Sequence, residues 1–376
     1  MSDSKFIKVG IKTKGDPCIK QYGDYSLISN MLIGDGFHWE TVIEAKLPGK
    51  IIPCADFEEG NSNNNSNVTL INILPIEKYL ECVVGSEMNP TAPLEFLKAH
   101  AVISRSWVMG KVLDIHPKGN KGRSDDQHSL IGWEDTGSHQ KFNVCSDDHC
   151  QRYQGIQAIS PKAKRAIEET AGEILVDSDG NILDARFSKC CGGVTEIFST
   201  CWQDSEMKGL ASIRDPFCNL SDLSASSRRV LLSSILKSYD LATENYGFEW
   251  GVKVTKEEIK TRLEERFGRN VGKVERIEPL LRGPSGRIKL LRIHGSDSCL
   301  DIGKELWIRR LLSPTHLYSS AFDIEDQGDI LRLSGHGWGH GVGLCQIGAA
   351  RMAHEGYNYR EILSFYYQGS GIEILP

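Results

Sequence analysis

Short apolar runs separated by glycine-bearing turns fill residues 5–52, as at 6–11 and 42–45, and this texture predicts a layer of antiparallel strands. A tract of asparagine and serine at 61–67 holds no apolar residue and reads as a solvated hairpin loop ahead of a strand at 68–74. Beyond it the apolar period lengthens from that of a strand to that of a helix. Pro75 suits a first helical turn, so a helix is expected to about Met88, and Thr91-Ala92-Pro93 opens a second to about Leu113. Leu80, Val83, Val84 and Glu87 share one face of the first helix. On the second, Leu94, Leu97, Ala101, Ser104 and Val108 form a stripe with small residues at its middle, which permits close approach. A helix at 162–170 follows, then strands at 173–177 and 182–187 around Ser178-Asp179-Gly180-Asn181, whose Asp-Gly pair marks a hairpin turn. Residues 220–330 read as connecting helices and a second β region, in which Ser285-Gly286-Arg287 opens a strand at 288–294. A last helix at 347–355 stops at Gly356. The expected class is α+β, one composite domain of antiparallel β layers carrying a helical pair, with an N-terminal β layer at 1–74 and the chemistry in 75–376.

A length of 376 residues suits one large domain or two modest ones. Net charge is −6 with both signs interspersed, so no basic stripe marks a nucleic-acid partner. No apolar run reaches the length of a membrane span. The first residues are polar and lack the apolar centre of a signal peptide, so the chain reads as cytosolic, as a mature form or as a trimmed one. Its 11 cysteines are an odd number scattered through a chain too large to need staples, which argues against a complete disulfide framework.

Candidate chemistry is concentrated in three places. The run Gly335-His336-Gly337-Trp338-Gly339-His340-Gly341-Val342-Gly343 alternates glycine with polar tips and a flat indole, a pattern that suits close approach of backbone to a ligand better than a strand interior. Glu87 closes an apolar helix stripe; buried there it would hold a proton at neutral pH as a general acid requires, whereas at the helix end it would otherwise swing to water. Arg105 borders the neighbouring stripe, and a solvated helix charge is the commoner fate of a lone arginine. In the polar stretch 114–152, His139, Cys145, His149 and Cys150 form a compact set of the size that closes a tetrahedral zinc site, a tether that such a loop needs. A Cys145–Cys150 disulfide is the nearer alternative, and full protein coordination would make the zinc structural. The vicinal Cys190-Cys191 pair lacks a redox spacing, and packing is its expected role.

Several of these segments, in this order, resemble the SpoIID/LytB family: Leu74-Pro75-Ile76-Glu77-Lys78-Tyr79-Leu80, Ser86-Glu87-Met88, the helix at 97–106, Tyr153-Gln154-Gly155, Gly192-Gly193-Val194-Thr195 and the glycine-rich run continued to Ala349. The resemblance spans about residues 5–376 and is weak before Val68. It implies a lytic transglycosylase or an amidase enhancer of the bacterial cell wall, acting on peptidoglycan glycan strands at the cell envelope, with a cell-wall amidase as a partner of the second kind. It further implies that Glu87 is the acid and base, and that Tyr153, Gly192, Gly193, His336, Trp338, His340 and Gln346 lie at or near the glycan groove; Arg105 is a further candidate for substrate binding. Cys345 stands where the family often has serine, Ile347 where tryptophan is common, and Cys190-Cys191 where small residues are usual.

One carboxylate is enough for this chemistry. Ordinary glycosidases need a second carboxyl group as nucleophile or as the base that activates water. A lytic transglycosylase takes its nucleophile, the muramyl 6-hydroxyl, from the substrate itself, so proximity replaces bound water. Two other classes compete with it besides the non-catalytic enhancer. His336 and His340 would be i, i+4 zinc ligands of a metal hydrolase, but the glycines between them make a helix improbable. A cysteine hydrolase would use Cys191 or Cys345 with His340, though no strand-to-helix elbow surrounds either thiol.

Overall fold

A computed structural model describes residues 6–37, 39–54, 68–115, 122–133, 139, 141–237 and 248–375; the asparagine and serine tract at 61–67 lies outside the described residues. The chain opens with β1 (Phe6–Lys12), β2 (Ile19–Tyr22), β3 (Tyr25–Ile33), β4 (Thr41–Pro48), β5 (Lys50–Pro53) and β6 (Val68–Pro75). Strands β2, β3 and β4 form an antiparallel meander, while β1 lies between β6 and β9 (Val144–Cys145) in a sheet of order β5-β6-β1-β9. Alternation decides which face is buried. Ile7, Val9 and Ile11 are fully buried, and their partners on β6 are Leu74, Asn72 and Leu70.

β6 runs without a loop into α1 (Ile76–Glu87), because Pro75 keeps an extended backbone at the N-cap and needs no donor there. After Pro93 comes α2 (Leu94–Val112), which is buried along most of its length and forms the axis of the main apolar core. Around α2 pack α1, α3 (Pro161–Glu169) and β10 (Glu173–Val176). The expected second strand at 182–187 shrinks to an isolated bridge at Ile182 and to β11 (Phe187–Ser188). Two tight turns take its backbone donors, since Ala185 N bonds Leu183 O and Arg186 N bonds Asp184 O. β10 therefore pairs with the C-terminal strand.

A second apolar core, centred on Trp250, Ile259, Leu291, Ile302 and Leu333, occupies the later chain. α4 (Phe198–Cys201) and α5 (Ala225–Ile235) add Phe198, Leu231 and Ile235 to the first core. The second core is built from β12 (Glu249–Thr255), α6 (Lys256–Phe267), β13 (Val274–Arg282), β14 (Ile288–Gly295), β15 (Cys299–Gly303), α7 (Glu305–Leu312), β16 (Phe322–Asp326) and β17 (Ile330–His336). It recruits β7 (Gly122–Asp125) and β8 (Ser129–Trp133), through parallel pairing of β8 with β15. The chain returns to the first core with β18 (Leu344–Cys345), α8 (Gln346–His354), α9 (Tyr359–Tyr366) and β19 (Gly371–Ile374), the partner of β10. The fold is α+β, as expected. Among the described residues no helix is long and apolar enough to cross a membrane.

Candidate functional site

α1 ends on Glu87, and the next residue, Met88, is already extended. Glu87 is 6% exposed. Its Oε1 accepts the backbone N–H of Arg152 at 3.0 Å, and the Arg152 Nε lies 4.0 Å from Oε2. Arg152 is itself held, with Nε 2.6 Å from Asp148 Oδ1 and its guanidinium 4.5 Å above the Trp39 ring. Donors and a positive charge thus face the carboxylate where the sequence suggests apolar walls. The adjacent Ser86 hydroxyl accepts Gln154 N at 2.9 Å, so the end of α1 grips the 152–154 segment at two points. Gln154 Nε2 and Ser146 Oγ are buried with no hydrogen-bond partner among the described residues.

Two other expected groove residues are elsewhere. Tyr153 is fully buried, its hydroxyl donating to Asn72 Oδ1 at 2.6 Å and its ring stacked on Tyr79 at 5.4 Å, so neither face is open to a sugar. Arg105 is neither solvated nor at a groove. Fully buried within α2, it donates Nε and Nη2 to the two carboxylate oxygens of Glu77, both at 2.7 Å, and Nη1 to the Glu173 carbonyl at 3.1 Å. It ties α2 to the start of α1 and to β10.

His139, Cys145, His149 and Cys150 converge, with their ligand atoms all within 4.8 Å of one another. Cys150 Sγ lies 3.4 Å from His139 Nε2 and 3.6 Å from His149 Nδ1, and Cys145 Sγ lies 3.8 Å from His149 Nδ1. Tetrahedral zinc, with Zn–S of about 2.3 Å and Zn–N of about 2.0–2.1 Å, sets sulfur and nitrogen about 3.6 Å apart, so the set fits the ion. The hydrogen bond with Cys150 holds the Cys145 thiol well below its ordinary pKa, while burial pushes that of Cys150 up. Both cysteines are free thiols rather than a disulfide.

The glycine-rich run leaves β17 at His336 and folds around a fully buried guanidinium. Arg287 donates Nε to Gly339 O at 3.1 Å, Nη1 to Cys191 O at 3.1 Å and Nη2 to Cys190 O at 3.4 Å. Gly337 and Gly341 have φ of 80° and 79°, and a Cβ on them would come within 2.7 and 2.5 Å of Arg287. Trp338 and Cys190 exchange both backbone hydrogen bonds, at 2.8 and 3.0 Å. This pairing brings Gly192 against His336, whose Cδ2 would lie 2.6 Å from a Cβ on Gly192, whereas a Cβ on Gly193 would meet nothing within 4 Å. His336 is half-buried with Nε2 3.3 Å from Ser285 O, and burial lowers its pKa. His340 is pushed well below its ordinary value by burial and then by Arg186; its Nδ1 accepts Val342 N at 3.0 Å. Trp338 is mostly buried, with its edge against Tyr318.

A line of hydrogen bonds links this region to the Glu87 niche. Gln346 Nε2 donates to His100 Nε2 at 3.2 Å, and His100 Nδ1 faces Ser104 Oγ at 3.2 Å. The Ser104 carbonyl takes Gln151 Nε2 at 3.4 Å, and Tyr79 bonds Gln151 Oε1 at 3.0 Å, one residue before the donor to Glu87.

The sequence profile of the family described as Stage II sporulation protein (SpoIID) matches residues 64–176, the stretch from β6 through the Glu87 niche to β10. Residues 196–343 match a domain of unknown function (DUF8618). Stage II sporulation protein D of Bacillus subtilis is 25% identical over 80% of this chain and 74% of its own length. An uncharacterized protein of Brachyspira hyodysenteriae is 27% identical over 82% of this chain and 69% of its own length. The amidase enhancer of Bacillus subtilis is 24% identical over 77% of this chain and 40% of its own length. Residues 64–176 thus carry the SpoIID domain, and the relatives named Stage II sporulation protein D and amidase enhancer support placing the chain with the SpoIID/LytB family.

Against this SpoIID background the two competing histidine and cysteine readings lose their geometry. Neither His336 nor His340 joins a metal-donor group among the described residues. Cys191 and Cys345 turn into a buried sulfur cluster, and the Nδ1 of His340 is already occupied by Val342 N. The sequence reading misses Arg152, Trp39 and Arg287. Arg152 stands directly before Tyr153-Gln154-Gly155, so position beside a motif was the available signal for it, whereas Arg287 falls in a segment read only as the opening of a strand.

Proposed function

We propose that this chain acts at the bacterial cell wall as a lytic transglycosylase, cleaving the bond between N-acetylmuramic acid and N-acetylglucosamine with Glu87 as acid and then base. The observation that carries the reading is the setting of Glu87 within the SpoIID-matched segment: a nearly buried carboxylate, one oxygen anchored by Arg152 N, beside a segment whose Gln154 amide and Ser146 hydroxyl lack partners. The carboxylic acid gives its proton to the glycosidic oxygen as the bond from muramyl C1 breaks. The carboxylate then takes the proton of the muramyl 6-hydroxyl as O6 bonds C1, which closes a 1,6-anhydro ring and restores the acid. No water is consumed. Arg152, fixed by Asp148 and Trp39, orients the carboxylate and stabilises its charged interval. Gly192, Gly193, His336, Trp338, His340 and Gln346 would form the wall that receives the neighbouring sugars.

His139, Cys145, His149 and Cys150 would hold zinc, and with four protein ligands the ion would tether the loop and leave no position for water. That loop leads directly into Arg152. Its contribution to the reaction is therefore positional.

The similarity to an amidase enhancer favours one other reading, in which the same niche binds glycan and presents it to a cell-wall amidase without cleaving it. Peptide-free glycan strands incubated with the purified protein separate the two. Anhydro-muramyl ends in the products support the transglycosylase; binding without them supports the enhancer.

A further inference from the structure

Beneath the glycine-rich run, three distant segments bring a second donor set together in the core. Cys190 and Cys191 follow β11, Asp215 and Cys218 lie on a loop before α5, and Cys345 is the N-cap of α8. Cys345 Sγ is 3.4 Å from Cys218 Sγ, Cys190 Sγ is 3.3 Å from Cys218 Sγ, and Cys191 Sγ is 3.3 Å from Asp215 Oδ2. The ligand atoms of Cys191, Asp215, Cys218 and Cys345 all lie within 4.8 Å of one another, and all four residues are buried. Each of these cysteines is a free thiol.

Backbone N–H groups face two of these sulfurs. Cys345 Sγ accepts Cys191 N at 3.3 Å and Gly348 N at 3.5 Å, the latter within the first turn of α8, whose N-terminal dipole favours negative charge. Cys191 Sγ accepts Gly193 N at 3.4 Å. Asp215 is oriented from behind: Oδ1 takes Phe217 N and Cys218 N, at 2.9 and 3.0 Å, and Oδ2 takes the Tyr366 hydroxyl at 2.8 Å. Such outer contacts are what fix metal ligands in register. A Cβ at position 348 would lie 2.4 Å from Asp215 Oδ2, so Gly348 keeps the space at that oxygen clear.

We propose that Cys191, Cys218, Cys345 and Asp215 bind a second zinc ion, a structural brace under the glycine-rich run, with Cys190 packed against the Cys218 sulfur. Sulfur-rich tetrahedral sets select zinc or iron–sulfur centres. Donors this close suit a single ion, whose tetrahedron sets sulfurs about 3.8 Å apart, whereas a cluster must spread its ligands around several metals. A carboxylate among the four favours zinc over copper(I). The ion would join the backbone that pairs with Trp338, the Asp215 loop and the start of α8. This inference is independent of the glycan reading.

Cobalt(II) added to metal-free Cys150→Ser protein tests it, because that variant disables the loop site and leaves this one intact. A thiolate-to-cobalt charge-transfer band, with visible bands of tetrahedral intensity and about one equivalent bound, is expected, and zinc should bleach it. The full chain should carry about two zinc equivalents, falling to about one in Cys218→Ser or in the milder Asp215→Asn. No charge-transfer band in Cys150→Ser protein overturns the proposal, as does unchanged zinc in both variants of this site. A thiol count on denatured wild type that falls two short, without zinc, would assign these sulfurs to a disulfide and overturn it equally.

Discussion

His100 gives a prediction whose sign and size both follow from its setting. It is fully buried on α2 between Gln346 and Ser104, and burial, aided by the Lys189 charge, lowers its pKa from 6.5 to about 3. The native imidazole is therefore neutral, with Nε2 accepting from Gln346 and Nδ1–H facing the Ser104 hydroxyl. Below the unfolded value the unfolded chain takes up a proton that the native chain refuses, so stability is complete above about pH 6.5 and is lost as pH falls from there toward about 3. Between about pH 7.5 and about pH 5 the loss from this one residue is about 2 kcal/mol, and it reaches about 4–5 kcal/mol near pH 3. Urea unfolding at several pH values, on wild type and on His100→Gln, isolates the effect. Other titrating groups, the metal ligands included, are common to both proteins and cancel in the difference. The variant should be less stable near neutrality but flatter toward acid. Parallel pH dependences would refute the assignment of a neutral, protected His100.

Chelation of the loop metal, or Cys150→Ser, should lower stability by on the order of a few kcal/mol, read by thermal melting beside elemental analysis; wild type purified gently without zinc would contradict it. Glu77→Ala strands the fully buried Arg105 guanidinium and should cost about 3 kcal/mol in a urea titration, against a reading of less than about 1 if the pair were an ordinary surface contact. Gly337→Ala adds to the left-handed cost of about 1–2 kcal/mol a clash with Arg287 Nη2 at 2.7 Å, so it should destabilise more than Gly356→Ala, where φ is 98° but no atom lies within 4 Å of the new Cβ. Equal thermal shifts for the two would remove Arg287 from its place as the hub of the run.

Elements whose burial is one-sided were legible in the chain. β1, β6, α1 and α2 follow the apolar period, and Pro75 and Pro93 mark the starts of both helices. The strand expected at 182–187 failed because alternation describes a face and not a partner: local turns took its donors, and β11 found β18 some 150 residues later. Motif position singled out Glu87 for the proposed role, and spacing singled out His139, Cys145, His149 and Cys150, which converge because they are local in sequence. Tyr153 and Arg105 show the limit of such reading. Both lie in or beside motif segments, yet one stacks on Tyr79 and the other pairs with Glu77, and no sequence pattern distinguishes an arginine facing a groove from one inside a helical core. Cys190 and Cys191 read as packing, and they are buried, but their company of Cys218, Asp215 and Cys345 depends on three segments that only tertiary structure joins.

The central claim is that Glu87 supplies the proton and takes one back. Glu87→Gln keeps the side chain's size and can still accept Arg152 N, while removing the group that titrates. Mass spectrometry of products from peptide-free glycan strands, run beside binding of a chitin-like oligosaccharide, measures both functions on the same preparations. Wild type should release 1,6-anhydro-muramyl ends, and Glu87→Gln should bind as well while releasing them at least about a hundredfold more slowly. Undiminished release by the variant would contradict the claim.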